Sequence, residues 1–272
     1  MLKLSDKVVN SLFKSKLLNF IPKRVIKRLI KKNKIFFIQT SLKNLPSNNY
    51  PFLLSLEDLD KKKDIYSNDE TKIPTNEFPY LSLILKLIFY EKEKFRFLDF
   101  GAQYIDNYLF LKNKNRNIEY FYHDLVENNK IVQEFVNFNN LENIEVLNNL
   151  EDISKKEYDF IYFGSVIQYV NEFKKLLQEI LKKKPKYIYL SGLNIYQKNT
   201  NNFIICKQFN VFPQMNYCYF FKFDYLVDLI CSKNYDLLYY TQNPNSKINY
   251  SHINSHLNEN CQYLDLFFKI KN

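Results

Sequence analysis

The sequence has no tryptophan, two methionines and three glycines in 272 residues. Three glycines cannot build the glycine-rich turn that brings several backbone N–H groups against a phosphate. That absence disfavours a nucleotide-sugar enzyme, as does the lack of an Asp-x-Asp pair in the regular part of the chain from residue 79. The four cysteines, Cys206, Cys218, Cys231 and Cys261, contain no C-x-x-C pair, and the three histidines are dispersed. Zinc-ligand spacing is therefore missing, the thiols read as reduced, and no metal is expected. His252 and His256 stand four apart in "YSHINSHLNEN", but Asn and Ser crowd that stretch and favour a polar loop over a metal site. Charges interrupt every apolar run well short of the roughly 20 residues that cross a bilayer, so neither a span nor a signal peptide is expected. The expected location is the cytoplasm, with contact at the inner membrane face as an option.

What is present is a chain rich in Lys, Asn, Ile, Phe and Tyr, the usage of an AT-rich coding sequence, from which no function follows. Hydrophobic residues make up 46% and aromatics 17%, enough to bury one large core, so one main domain with an N-terminal extension is expected. The net charge of +10 is concentrated: residues 1–34 carry eleven Lys and Arg against the single acid Asp6, and the rest of the chain holds 28 basic and 28 acidic residues. A neutral main domain argues against a nucleic-acid groove, which needs clustered Lys and Arg.

The basic segment shows apolar residues at helical spacing, Val9, Leu12, Phe13 and Leu17, then Val25, Ile26, Leu29 and Ile30, divided by Pro22. This predicts two short amphipathic helices. They either lie on an anionic membrane surface, where each basic residue contributes about 1 kcal/mol, or pack on their own domain with a solvated basic face. Residues 43–78 carry Pro, Ser, Asn and a charge run, the marks of a linker with short helical pieces. The expected layout is a basic arm over 1–34, a linker and irregular segment over 35–78, and the main domain over 79–272.

From residue 79 strands and helices alternate. "PYLSLILKLIFY" is a helix, "FRFLDF" a strand, "NIEYFYHD" a second, "NKIVQEFVNF" a helix, "NIEVLN" a third strand and "YDFIYFGS" a fourth. "VNEFKKLLQEILKKK" is a strongly amphipathic helix, "PKYIYLSG" a fifth strand and "FKFDYLVDLICSKN" a helix. "YDLLYYT" and "CQYLDLFFKI" close the chain as an antiparallel hairpin at the sheet edge. Alternation of this kind predicts a parallel sheet built from right-handed crossovers.

In such a sheet the ligand crevice lies beyond the carboxyl ends of the strands, near the switch in strand order. The residues there are Asp99, Gly101, Ala102 and Gln103 after the first strand, and His123 and Asp124 after the second. Asn148 and Asn149 follow the third, and Gly164, Ser165, Gln168 and Tyr169 the fourth. Gly101 lets backbone groups approach a ligand. Asp124 stands where a carboxylate can accept both hydroxyls of an adenosine ribose; its other reading is a cap for the following helix.

Three segments read together carry a resemblance: "FLDFGAQYIDNYLF", "YDFIYFGSVIQYVNEF" and "YIYLSGLNIYQKNTNNFIICKQFN". They look like a family of bacterial class I S-adenosylmethionine-dependent methyltransferases often linked to cell-surface polysaccharide synthesis. Leu98, Asp99, Phe100 and Gly101 match its first motif, with Tyr108 as its tyrosine; Ser165, Gln168 and Tyr169 match the second, and Gln208 the third. "MNYCYFFKFDYLVDLICSKNYDLLYY" resembles the family's helix before the sixth strand. The similarity covers about residues 79–242.

The resemblance implies a class I methyltransferase-like (Rossmann-like) three-layer α/β sandwich with a mostly parallel seven-stranded sheet, an antiparallel terminal hairpin and an N-terminal helical extension. It implies S-adenosylmethionine as methyl donor, held by Asp99, Gly101, Ala102, Gln103, Asp124, Asn148, Ser165 and Gln168, and a surface glycan, its lipid-linked precursor or another small molecule as acceptor. His123 and Tyr169 are the candidate bases, with His252 and His256 behind them. Ala102 replaces the second glycine of the motif, "QYID" removes a later one, and "GLNIY" lacks the family's Arg and Pro. A non-catalytic relative that has lost its cofactor and serves as an assembly partner is the competing reading.

Overall fold

The computed structural model describes residues 35–46, 54–68, 94–114, 117–197, 201–211, 214–242, 248–249 and 261–271. The basic arm over 1–34, the helix expected at 79–90, and His252 and His256 lie outside the described residues. In chain order the elements are β1 (Ile35–Gln39), α1 (Leu56–Asn68), β2 (Phe95–Phe100), α2 (Asp106–Lys114), β3 (Ile118–His123) and α3 (Val126–Phe138). Next come β4 (Ile144–Val146), α4 (Leu150–Lys155), β5 (Phe160–Gly164), a 3-10 turn (Ile167–Tyr169), α5 (Phe173–Lys182) and β6 (Tyr187–Tyr196). The chain ends with β7 (Phe203–Val211), β8 (Gln214–Lys222), α6 (Phe223–Cys231), β9 (Tyr235–Gln242), β10 (Ile248–Asn249) and β11 (Cys261–Ile270).

These residues form two compact units. The described part of the larger is 54–193, 224–242 and 263–271, and of the smaller 35–46, 194–223, 248–249 and 261–262. The sheet of the larger unit runs β4-β3-β2-β5-β6-β11-β9. β2 pairs in parallel with both β3 and β5, β3 with β4, and β5 with β6. β11 pairs antiparallel with β9, the hairpin expected from the sequence. The order turns back on itself between β2 and β5, which makes that boundary the switch point.

One face of this sheet presents Phe95, Phe97, Tyr120, Tyr122, Phe160, Tyr162 and Tyr189 to a single apolar cluster with α1, α2 and α3. Phe97 stacks on Tyr120 and on Phe160, both at 5.3 Å between ring centres. Alternate residues, Leu98, Phe121, Ile161 and Ile188, are also buried, so the opposite face is covered as a parallel sheet requires. α5 buries Phe173, Leu176, Leu177, Ile180 and Leu181, a three-and-four spacing that gives it one apolar stripe. α1 is tied to α2 by Lys62, whose Nζ lies 2.7 Å from the Asp106 carboxylate.

The smaller unit is a second set of strands in the order β10-β1-β7-β8 and the end of β6. β7 and β8 form an antiparallel ribbon, β1 adds to it antiparallel, and β8 pairs in parallel with Ile195 and Tyr196. The sequence expectation misses two strands: the stretch treated as linker contains β1 besides α1, which answers to the short helical pieces expected there, and "MNYCYFFK", taken with the following helix, is β8. Residues 79–272 were expected as one domain but are distributed over both units.

Candidate functional site

Beyond β2 the chain turns at Gly101, whose φ of +72° suits a residue without a side chain. A Cβ at Gly101 would lie 2.4 Å from the Val166 Cβ, so the space that glycine leaves is taken by the valine after β5, across the switch point. The Gly101 N–H donates to the His123 carbonyl at 2.7 Å. Ala102 is half-buried and packs on the core. Gln103 is also left-handed, at φ 55°. Its N–H donates to Asp124 Oδ2 at 2.8 Å and its carbonyl accepts from the Tyr122 hydroxyl at 3.0 Å.

Asp124 thus holds the turn after β2. Its Oδ1 accepts from the Leu125 N–H at 2.7 Å and from Asn128 Nδ2 at 2.9 Å. Three of the carboxylate's roughly four lone-pair sites are used within the protein, which leaves about one for a ligand hydroxyl. The N-cap position of α3 is Leu125, one residue further on.

Asp99 is fully buried at the end of β2. Its Oδ2 accepts from the Tyr120 hydroxyl and from Asn107 Nδ2, the latter at 2.8 Å, and its Oδ1 has no hydrogen-bond partner. Burial pushes its carboxyl up to about 7; the Tyr120 and Asn107 hydrogen bonds oppose that rise and the charges of Asp124 and Asp106 add to it. His123 Nδ1 lies 2.7 Å from the Leu147 carbonyl, which can only accept, so Nδ1 carries the proton and Nε2 the lone pair. Burial holds His123 below the ordinary histidine range.

Asn148 is exposed, and its N–H donates to Asp152 Oδ2 at 3.1 Å. Its neighbour Asn149 caps α4, accepting from the Asp152 N–H at 2.9 Å. Beyond β5, Ser165 has φ 55°, and its hydroxyl lies 2.8 Å from that of Tyr263. Gln168 is buried in the 3-10 turn. Its Nε2 donates to the Gly192 carbonyl at 2.9 Å, while its Oε1 is without a partner. Tyr169 is half-buried in the same turn, its N–H donating to the Val166 carbonyl at 2.8 Å.

The structure therefore brings Asp99, Gly101, Gln103, His123 and Asp124 into one hydrogen-bonded neighbourhood and Ser165 and Gln168 into a second around Gly192. It leaves Asn148 on the surface. The sequence reading missed Asp265, buried in β11, whose carboxylate accepts from the Tyr189 hydroxyl, the Ser191 hydroxyl and the Gly192 N–H at 2.8–2.9 Å. The available signal was a lone acid in the apolar run "LDLFF", the same signal that marks Asp99 in "FLDF".

Two buried oxygens near the strand ends, Gln168 Oε1 and Asp99 Oδ1, lack partners among the described residues; the first is an acceptor, and the second is one when the Asp99 carboxyl is ionised. A ligand that presents an ammonium and hydroxyls, as S-adenosylmethionine does, has donors of the kind they need. Among the described residues no group of three or more His, Cys, Asp or Glu is placed to hold a metal, and no helix is long and apolar enough to cross a membrane. A cavity of about 470 Å³ opens at the other end of the sheet, beside Arg96, Glu119, Glu145, Lys156 and Glu157. Its charges are already paired, Arg96 with Glu157 at 2.6 Å and Lys156 with Glu145 at 2.7 Å, so it is not the candidate site.

No protein-family model matches the sequence, and no curated protein matches it. Solved structures do match. The N-terminal domain of EvdMO1 in the presence of S-adenosylhomocysteine and D-fucose aligns with a TM-score of 0.50 at 9% identity, covering 82% of this chain and 100% of that one. The same domain with S-adenosylhomocysteine bound gives 0.49 at 11% identity over 82% and 100%. The 1,6-didemethyltoxoflavin-N1-methyltransferase of Burkholderia thailandensis, with 1,6-didemethyltoxoflavin and S-adenosylhomocysteine bound, gives 0.49 at 14% identity over 83% and 95%. The likeness at a TM-score of 0.50 shows the fold alone, the mostly parallel α/β sheet of class I methyltransferases.

Proposed function

We propose that the protein is an S-adenosylmethionine-dependent methyltransferase acting on a small-molecule or glycan acceptor, with a cell-surface glycan or its lipid-linked or sugar precursor as the favoured class. The observation that carries this reading is the switch point between β2 and β5, where the Gly101–Gln103 turn is tied to Asp124 and two buried acceptors await donors. In this reading Asp124 takes a ribose hydroxyl on its remaining lone pair, Asp99 Oδ1 and Gln168 Oε1 take N–H or O–H donors, and Ala102 and Gln103 lie along the cofactor. Asn148 supports the adenine side only from an exposed position, and Ser165 acts through its Tyr263 partner.

The cofactor supplies an electrophilic methyl group on a sulfonium. The chain's part is orientation, with a base to take the acceptor's proton where the acceptor is a hydroxyl. His123 Nε2 carries the lone pair for that step, and its lowered pKa keeps it neutral near pH 7. Tyr169 is the weaker candidate, since a tyrosine must first lose its own proton to act as a base.

A second reading has its own observation. Val166 fills the space above Gly101 and Asp124 already serves three protein donors, as in a methyltransferase-like module that has given up its cofactor for a binding role. Calorimetric titration with S-adenosylmethionine and S-adenosylhomocysteine separates the two. Micromolar binding that weakens in Asp124→Ala, with circular dichroism unchanged, supports the enzyme; no heat at millimolar ligand sinks it.

A further inference from the structure

We propose that the smaller unit contains a binding site for a neutral, hydroxyl-bearing small molecule, a sugar by chemistry, built from the buried amides of Asn194, Gln208 and Asn216. As an acceptor site it rests on the methyltransferase reading and narrows it to a substrate class; as a sugar site it stands without that reading.

Residues directly opposite on neighbouring antiparallel strands share a face of the sheet. Gln208 stands opposite Asn216, and Cys206 opposite Cys218, across β7 and β8. On the other side of β7, Phe37 stands opposite Gln208 and Gln39 opposite Cys206. Around Cys206–Gln208 and Asn216–Cys218 this face therefore shows amides and thiols, and among the described residues its alternation on β8 meets a charge at Lys222, at the far end of the strand. Lys207 belongs to the other face, where its Nζ lies 5.6 Å from the Tyr217 ring centre. Asn194 joins the amide face from the end of β6, its Nδ2 lying 3.8 Å from the Cys218 sulfur.

All three amides are buried, at 1% exposure for Asn194 and 4% for Gln208 and Asn216. Two of them, Asn194 through Oδ1 and Asn216 through Oδ1, have no hydrogen-bond partner among the described residues. A buried acceptor left unmet is costly, and a sheet face that serves only as core avoids it by using apolar residues. Among the described residues the Asn194 amide nitrogen donates to sulfur, a weak acceptor that a better one displaces.

The orphaned atoms define the ligand. Both are acceptors, so the ligand brings donors. The amides and thiols carry no charge of their own, and Lys222 is six residues along β8 from Asn216, so nothing beside the orphaned oxygens compensates a charged ligand once water is excluded and the ligand is neutral. Phe37 and Phe220, edge to face at 4.9 Å, supply apolar surface beside the amides for the carbon face of a ring. A neutral sugar has all of these properties; a phosphate, a carboxylate or a nucleotide does not.

Saturation-transfer NMR on the full chain in the presence of S-adenosylhomocysteine tests this, with D-fucose and N-acetyl-D-glucosamine as probes and D-glucuronate as the charged control. Transfer to at least one neutral sugar and none to glucuronate is expected, with Asn194→Leu and Asn216→Leu each weakening the response at least about tenfold. Should a leucine disturb folding, Asn216→Ser carries the same comparison. No transfer to either neutral sugar overturns the proposal. So does transfer that both variants leave unchanged, since the orphaned oxygens are then only hydrated. Calorimetry with S-adenosylhomocysteine run alongside keeps the two readings apart. Sugar contact without cofactor binding retains the site and removes the methyltransferase, and cofactor binding without sugar contact does the reverse.

Discussion

Two residues at the switch point carry opposite kinds of stress. Gly101 is held at φ +72° against Val166. Gly101→Ala therefore combines the left-handed penalty with an overlap, and a loss of about 3 kcal/mol in urea unfolding is expected. The cause is separable. In Gly101→Ala/Val166→Ala the loss should fall short of the sum of the single losses by at least about 1 kcal/mol, because the overlap disappears while the dihedral penalty remains. Asp99 carries electrostatic stress. Its carboxyl, raised from 3.8 to about 7 by burial, binds a proton in the folded state at pH values where the unfolded chain has lost it. Stability should then fall as pH rises through that window, by up to about 4 kcal/mol, instead of rising as for a salt-bridged acid. Asp99→Asn should flatten the slope and be the more stable protein above neutral pH, as denaturant midpoints on both sides of the window would show. Both residues were visible in "FLDFGAQ"; their partners Val166, Tyr120 and Asn107 were not, because contacts between strand ends are made by the fold.

At the scale of elements, α4 separates two roles that adjacent asparagines could have shared. Asn149 accepts from the Asp152 N–H and caps the helix, whereas Asn148 is exposed. Asn149→Ala should cost about 1 kcal/mol and Asn148→Ala almost nothing, measured by thermal unfolding; only a cofactor role would make Asn148 matter, and then in S-adenosylhomocysteine affinity alone. The elements legible from the sequence are those whose borders carry punctuation. β2, β3, β5 and β11 are apolar runs flanked by polar residues, and α5 shows its stripe directly. β8 passes into α6 without a break: Lys222 ends the strand and Phe223 starts the helix within one apolar stretch. There the antiparallel ladder with β7 sets the boundary, and no local signal marks it. β1 fails for the same reason, since five residues become a strand only by pairing with β7 and β10, far along the chain.

For the whole molecule the informative quantity is where charge sits. Residues 1–34 account for the full +10, so removing them should leave a formally neutral protein. If the arm binds lipid, that deletion should abolish co-sedimentation with phosphatidylserine vesicles, and raised salt should weaken the full chain's binding; equal sedimentation of both proteins would exclude the membrane role. The amphipathic pattern was legible in the sequence, but a basic stripe alone does not distinguish lipid from solvent. The division into two units was not legible, because β6 continues past Gly192 as one buried strand and contributes its last residues to the smaller unit.

Gly192 itself has a consequence in time. Its N–H is held by Asp265 and its carbonyl by Gln168, and at φ +63° it is closed in by the Ser165 and Tyr263 hydroxyls. No small fluctuation frees a peptide fixed from two other segments of the larger unit, the turn after β5 and β11. In deuterium oxide its amide should be among the last to exchange, at a rate that follows global unfolding as denaturant is added, while amides of the β9 edge exchange through local opening. A single slow proton at the end of a strand would then report the cooperativity of the entire larger unit.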